Sequence, residues 1–448
     1  MTTNRESVTR REFLGKAGAG AATLGMAAAG VGESEAARAS AAGKRVGAND
    51  KIVLGLIGCG GMGAVDMGKL MENPAIQVAA LCDVDTARMP HEINAVEKKY
   101  GKRPALFGDY RKMLERKDID AIIIGSPDHW HCLNLIHTVE AGKDAYCEKP
   151  ISHDIAEAKT MDAAVKRFKK IVQVGTWQRS TSEFQSAIEY VRSGKAGKIV
   201  LCRAWSTDTR LAGHPKSTTP PATLNYDMWN GPATWIPYAD NHVHYNWRWF
   251  TNYGTGKTGD WGVHMMDMAL LAMSKDTDLP MPTQVTCYGG KFGYPDDGRE
   301  FPDTVQSIMR FKDPDWIMHW QTGRDFPGRP EQGVEFVSAE GKTVRAWRGG
   351  WEILDKDGTM LPKERTPHTN DHWENWVDCL KSREQPRSHL ASMAQTTIVC
   401  HLCNAAYESG ETVEWSKEKM EVVGKAGRSA SAYAREYRRP WKLPVYRV

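Results

Sequence analysis

The stretch KIVLGLIGCGGMG, residues 51–63, decides how the chain is read. Its first seven residues are short, apolar and rich in β-branched side chains, which suits a strand buried on both faces. Gly58, Gly60 and Gly63 follow at once as G-x-G-x-x-G, with Gly61 and Met62 inside the turn, and an amphipathic run from Ala64 to Met71 comes next. In this order the first glycine permits a tight turn, the second lets backbone approach a pyrophosphate and the third lets the helix pack on the strand. The second strand, Gln77 to Leu81, ends in Cys82-Asp83, and Asp83 stands 20 residues past Gly63, where a carboxylate accepts from the adenosine ribose hydroxyls. A carboxylate there repels a 2′-phosphate, so NAD is expected over NADP, while Arg88 keeps NADP open.

The alternation continues outward. Residues 121–125 form a third strand ending in Ser126-Pro127, a helix is expected from about His131 to Ala141, and strands Asp144 to Cys147 and Ile171 to Val174 flank a helix from Asp154 to Arg167. This predicts a doubly wound parallel sheet over residues 48–176. Ligands of such sheets bind at the carboxyl ends of the strands, where Ser126, Pro127, Glu148, Lys149 and Gln178 fall. After Gly175 the pattern changes to a helix, 183–193, and β-like segments at 199–205, 283–288, 304–311, 316–322 and 333–338. Strands following strands predict a second α+β domain, 177–410, with an open, mainly antiparallel sheet. Residues 411–448, basic and rich in Pro and aromatics, read as an arm over a neighbouring subunit.

The chain has 448 residues, 25% charged and 41% apolar, with a formal net charge of +4 that gives nucleic acid no electrostatic footprint. Nine cysteines sit mostly singly in apolar runs, and Cys400-x-x-Cys403 lies within a helical pattern, so core packing is expected rather than redox or metal chemistry. His129-x-His131 and His242-x-His244 lack an obvious third ligand, and no metal is expected. At the front, Arg10-Arg11-Glu12-Phe13-Leu14 precedes an Ala/Gly-rich stretch and small-residue cleavage sites near residues 37–41. This resembles a twin-arginine export signal over residues 1–41 and implies passage through the twin-arginine translocase, a periplasmic location and a cofactor inserted before export. No later run reaches membrane-spanning length, so no membrane contact is expected of the mature chain.

Tyr226 to Trp261 concentrates aromatics among Pro, Asn and Gly. Such rings stack on sugar C–H faces while polar neighbours bind hydroxyls, or else they fasten a long loop. His244, Tyr245 and Trp247 there, with Trp177 and Arg179 beyond the last parallel strand, are the candidate substrate contacts. The segment runs into Gly259-Asp260-Trp261-Gly262-Val263-His264, which opens an apolar helix. Asp260 and His264, four residues apart, share a helix face and are candidates for orienting a substrate and removing a hydroxyl proton; a helix cap and a half-buried histidine are the plainer alternatives.

The glycine turn, the run Ser126-Pro127-Asp128-His129-Trp130-His131, Cys147-Glu148-Lys149-Pro150 and the later D-x-x-x-H together resemble the Gfo/Idh/MocA family of glucose–fructose oxidoreductase and inositol dehydrogenase type. The resemblance implies a lysine touching nicotinamide and substrate at Lys149, a histidine beside the cofactor at His131, and a catalytic Lys, Asp and His at Lys149, Asp260 and His264. It also implies a homo-oligomer. The expected activity is NAD-dependent oxidation of a hydroxyl on a sugar, glycoside or polyol, with the cofactor regenerated in place. Transient oxidation that cleaves a glycoside is the alternative, and a non-catalytic NAD-binding scaffold is a third class.

Overall fold

The computed structural model describes residues 51–275, 278–363 and 367–446. The expected export signal, residues 1–41, and the start of the expected dinucleotide domain lie outside the described residues. Strands β1 (Ile52–Ile57), β2 (Ile76–Cys82), β3 (Ala105–Phe107), β4 (Ala121–Ile124), β5 (Asp144–Cys147) and β6 (Val172–Val174) form one parallel sheet in the order β3-β2-β1-β4-β5-β6. The sheet is parallel because each strand returns through a helix, among them Gly61–Glu72, Asp128–Glu140 and Ile155–Phe168. Only β3 was not read from the sequence: three residues carry too little pattern. Strand order reverses between β1 and β4, so the crevice at their carboxyl ends is a topological switch point.

The second sheet holds β7 (Ile199–Thr207), β8 (Gln284–Gly290), β9 (Thr304–Phe311), β10 (Trp316–Gly323), β11 (Gln332–Ser338), β12 (Thr343–Trp347), β13 (Gly350–Leu354), β14 (Val413–Ser416) and β15 (Glu421–Val423). Their order is β13-β12-β11-β7-β10-β9-β8-β14-β15, antiparallel throughout except for the β7–β10 pair. In β9, Val305, Ser307, Met309 and Phe311 face inward while Ile308 is exposed, the period of two expected of a sheet covered on one side. Helices Ser182–Arg192, Val263–Met273 and Leu390–Ser409 pack on the covered side. Tyr288, Ile308 and Ile317 stand exposed on the second sheet. Val263–Met273 is apolar on nearly all sides because it is buried all round.

Cys400 and Cys403 are fully buried in Leu390–Ser409, and all nine cysteines are free and buried. The C-terminal segment, expected as an arm over a neighbouring subunit, makes contacts with its own chain. After β15 it turns back onto its own chain, where the carbonyls of Ala432 and Tyr433 accept from the amides of Ile155 and Ala156 at 3.0 and 3.1 Å. These are first-turn N–H groups of a helix, which have no intrahelical partner. Arg435 then enters a buried pair with Glu157 at 2.7 Å, and the Tyr446 hydroxyl donates to Glu140 at 2.6 Å. Burial of Glu157 requires a cation, and this tail supplies it.

Candidate active site

A cavity of about 540 Å³ opens at the switch point. Gly58, Gly60, Gly61 and Met62 line it, as do Asp83 and Arg88 from the end of β2 and the turn after it. Ser126, Pro127, His131, Glu148 and Lys149 continue the lining from β4 and β5. Gly63 lies beneath: a Cβ there would collide with the Gly58 carbonyl oxygen and stand 3.2 Å from the Gly125 Cα, so helix and strand touch only because no side chain intervenes. At Gly60, by contrast, a Cβ would meet only Arg88 Cδ at 3.9 Å and would project into open space. The helix Gly61–Glu72 begins there with no side-chain cap and no acidic residue in its first turn, leaving N–H groups and the positive dipole end for a pyrophosphate. These features fit a dinucleotide.

Asp83 Oδ2 accepts from the Cys59 amide at 2.8 Å and Oδ1 from the Asp85 amide at 2.9 Å, which fixes the carboxylate at the end of β2. Burial pushes its carboxyl up, and these two backbone donors oppose that. His131 sits between the Pro150 and Ser126 carbonyls at 2.6 and 2.7 Å, tying the end of β4 to the turn after β5; burial pushes it down to about 4. Glu148 lines the cavity while its Oε1 is buried without a partner, and burial raises its carboxyl.

The aromatic segment closes over this cavity. Tyr226, Trp229, Tyr238, Trp247, Trp249, Phe250 and Tyr253 are buried in a cluster of their own. Thr86 donates its amide to the Thr223 carbonyl and Asn225 donates to Val84, pinning the segment beside the strand end that carries Asp83. His244 reaches Asp85 at 3.2 Å, and His244, Tyr245 and Trp247, the candidate substrate contacts, line the same cavity as the glycine turn and Lys149. The rings fasten the loop because each can bury itself against another there, leaving Trp235 and Tyr245 as its exposed aromatics.

Lys149 Nζ donates to Asp260 Oδ1 at 2.7 Å and to the Asp260 carbonyl at 3.1 Å; Lys149 lines the cavity, whereas Asp260 and His264 stand behind it and do not. Arg248 approaches the same Oδ1 at 3.4 Å. Burial alone would raise the Asp260 carboxyl, but Lys149 and Arg248 outweigh it and hold the group well below the usual carboxylate range. Asp260 lies in a π-helical turn, Thr258–Gly262, that leads into Val263–Met273, so its side chain reaches Lys149 instead of capping the helix. His264 is 3% exposed, its Nδ1 is buried without a partner, and burial together with the nearby charges of Lys149 and Arg348 pushes it well below its ordinary value. It is therefore neutral at pH 7, the state a proton acceptor needs.

Two expected contacts fall elsewhere. Arg179 is spent in a buried fork with Asp267, at 2.7 and 2.6 Å, and on the Ser392 hydroxyl and the Arg387 carbonyl, because Asp267 is fully buried and demands a cation. These bonds take four of its five N–H donors, and Arg179 does not line the cavity. Gln178 is fully buried, does not line the cavity, and neither atom of its amide is hydrogen-bonded. Trp177 is half-buried and stacks on Arg348. Conversely, Asp128 and Arg248 line the cavity and were not read from the sequence as site residues. Asp128 was visible within the Ser126-to-His131 run; Arg248, between two tryptophans, carried no signal of its own.

Comparison with known proteins agrees with this arrangement. Residues 52–176 match an oxidoreductase family with an NAD-binding Rossmann fold, and residues 161–443 match the C-terminal alpha/beta domain of the same family. An inositol 2-dehydrogenase from Rubrobacter xylanophilus is 32% identical over 162 residues, covering 36% of this chain and 45% of that protein. A glycosyl hydrolase family 109 protein from Shewanella baltica is 28% identical over 208 residues, 43% of this chain and 45% of its own length. The chain thus spans about half the length of the curated relatives it matches. Among solved structures, the WlbA dehydrogenase from Bordetella pertussis in complex with NADH and UDP-GlcNAcA superposes with a TM-score of 0.61 at 16% identity, over 82% of this chain and 99% of that one, which shows the shared fold. The glycine turn, the carboxylate of Asp83 and the two matched domains place the chain in the Gfo/Idh/MocA oxidoreductase family, with NAD as its cofactor.

Proposed function

We propose that the protein moves a hydride between NAD and a carbon bearing a hydroxyl group on a sugar, glycoside or polyol. The observation that carries this reading is the pairing of Lys149, which lines the cavity, with Asp260, with neutral His264 within electrostatic reach of both. Bound NAD supplies the hydride acceptor. Lys149 spends two of its three N–H donors on Asp260, which leaves one to polarise the reacting oxygen. His264 takes the hydroxyl proton as the C–H electron pair departs, and Asp260 keeps the lysine aimed. The inositol dehydrogenase and glycosidase relatives support a carbohydrate or polyol substrate.

A specific feature favours redox-neutral glycoside cleavage as the second reading. Asp128 lines the same cavity, burial pushes it up to about 8 against the pull of Arg248, and Thr255 donates to it at 2.9 Å. A protonated carboxyl at pH 7 can donate to a leaving group, as elimination of a glycoside demands. Incubating the NAD-loaded protein with a panel of sugars, polyols and glycosides separates the readings. Ketone and NADH indicate oxidation, free sugar without net NADH indicates cleavage, and neither product from any member would refute both.

The aromatic cover over the cavity supports a retained cofactor, so NAD should accompany the purified protein in near one-to-one ratio. We extend the proposal to export by the twin-arginine translocase into the periplasm, on the strength of Arg10-Arg11 and the residues after it, and to a homo-oligomer joined through the exposed apolar side chains of the second sheet. In the same proposal, residues 48–176 hold the cofactor and residues 177–410 the substrate. Comparing periplasmic yield in cells with and without the translocase tests the first, and sedimentation tests the second.

A further inference from the structure

Arg348 occupies the turn between β12 and β13, far in sequence from every residue so far given a role. Its guanidinium carbon lies 4.3 Å from the ring centre of Trp177 and 4.4 Å from that of Trp261. Trp177 follows the last strand of the parallel sheet, and Trp261 is the residue after Asp260. Arg348 is also close enough to Asp260 for that carboxylate to favour its charged form, and close enough to His264 to help keep the imidazole neutral. Three distant segments thus bring a guanidinium to the Lys149–Asp260–His264 cluster.

What sets this arginine apart is its lack of an anion. Three nearly inaccessible arginines are each paired, Arg179 with Asp267 at 2.6 Å, Arg299 with Asp208 at 2.6 Å and Arg435 with Glu157 at 2.7 Å, whereas half-buried Arg348 is not. Among the described residues Arg348 makes no ion pair and no hydrogen bond, and its Nε is buried without an acceptor. Two indole faces offset part of the desolvation, but they satisfy none of its N–H donors. Burial pushes its pKa down to about 10, the mark of a cation short of compensation. The two indoles take up none of its donors, which lie in the plane of the guanidinium, where they match a planar carboxylate through two parallel hydrogen bonds.

We propose that Arg348 is the substrate's anion-binding residue and that the substrate is a sugar acid whose carboxylate lies on the Arg348 edge while its reacting hydroxyl faces Lys149 and His264. This rests on the reading of Lys149 and His264 as the oxidation site. It narrows the substrate from any hydroxyl compound to uronic and aldonic acids and their glycosides.

The test is a fluorescence titration of the NAD-loaded protein, since Trp177 and Trp261 flank the site. Glucuronate, galacturonate and gluconate are each compared with the neutral sugar, and glucose 6-phosphate serves as a non-planar anion. At least one sugar acid should bind about tenfold or more tightly than its neutral counterpart, as expected of a charged hydrogen-bonded pair. Arg348→Met should abolish that difference while leaving the neutral sugar within about twofold, and Arg348→Lys, which keeps the charge but loses the fork, should retain part of it. Equal binding of acid and neutral sugars by the native protein, an undiminished preference in Arg348→Met, or binding of the phosphate alone overturns the proposal. NADH formation is recorded in the same samples. Oxidation of a neutral sugar regardless of Arg348 sinks the carboxylate assignment and leaves the oxidoreductase reading standing. Arg348-dependent binding of an acid with no product from any sugar supports the anion site and sinks the reading of Lys149 and His264.

Discussion

Lys149 and Asp260, 111 residues apart in the chain, meet at 2.7 Å with only 11% of either side chain exposed. One comes from the turn after β5, the other from the π-helical turn before Val263–Met273, and their ion pair joins the two halves of the site. Because Asp260 also faces Arg248, it is ionised across the physiological range and orients both cations. Lys149→Met should slow single-turnover NADH formation by roughly 10²- to 10⁴-fold. Asp260→Asn should do the same, and the double variant should be little worse than either single one, because both act on the same reacting oxygen. Additive losses would show that the two residues work independently.

Gly63→Ala should weaken NAD binding about tenfold or more and lower the melting temperature, since its Cβ collides with the Gly58 carbonyl and pushes the glycine turn off its strand. Equilibrium dialysis with NAD and a thermal melt are the measurements. Native affinity in the variant would mean that the turn is not the cofactor's seat.

Asp83→Asn should reduce the preference for NAD over NADP, because the charge that repels a 2′-phosphate is gone; its single amide oxygen serves only one of the two backbone donors, so binding of both cofactors should also weaken somewhat. Binding of the two cofactors is compared in the same buffer. An unchanged ratio would place the ribose elsewhere.

Arg435→Met should destabilise the protein by about 3–5 kcal/mol in urea, the usual cost of stranding a buried carboxylate, here Glu157. The loss should not vary with protein concentration, because both partners belong to one chain. A concentration-dependent loss would return the tail to a neighbouring subunit.

His401 is fully buried in Leu390–Ser409, and burial pushes it down to about 3 against the pull of Ser152. Its folded value lies below the unfolded one, so the unfolded chain binds the extra proton and native stability is lost as pH falls below about 6.5. His401→Gln has no such proton. Its stability relative to the native protein should therefore improve by about 1.4 kcal/mol for each pH unit between 6 and 4. Urea melts of both proteins at pH 7, 6, 5 and 4.5 measure this, and parallel curves would contradict it.

The sequence alone determined the parts whose geometry is local. A strand, a glycine turn and a helix follow one another directly, so their meaning survives without the rest of the chain, and Asp83 is reached one strand later. β-like segments likewise announced five of the nine strands of the second sheet, and the four-residue spacing pointed to Asp260 and His264 as one site. What only the tertiary structure decided are the pairings between distant segments. Arg179 sat next to the site in sequence, yet buried Asp267 claimed it. The aromatic segment read as rings for a sugar or as rings that fasten a loop, and the fold shows most of them buried against one another. The tail's contacts with Glu157 and Glu140 of its own chain could not be read from its composition. Arg348, in a surface-like hairpin turn, gave no signal, because its role depends on two tryptophans 171 and 87 residues away. A buried charge is placed by whichever counter-charge or ring the fold brings to it, and no short stretch of sequence contains that choice.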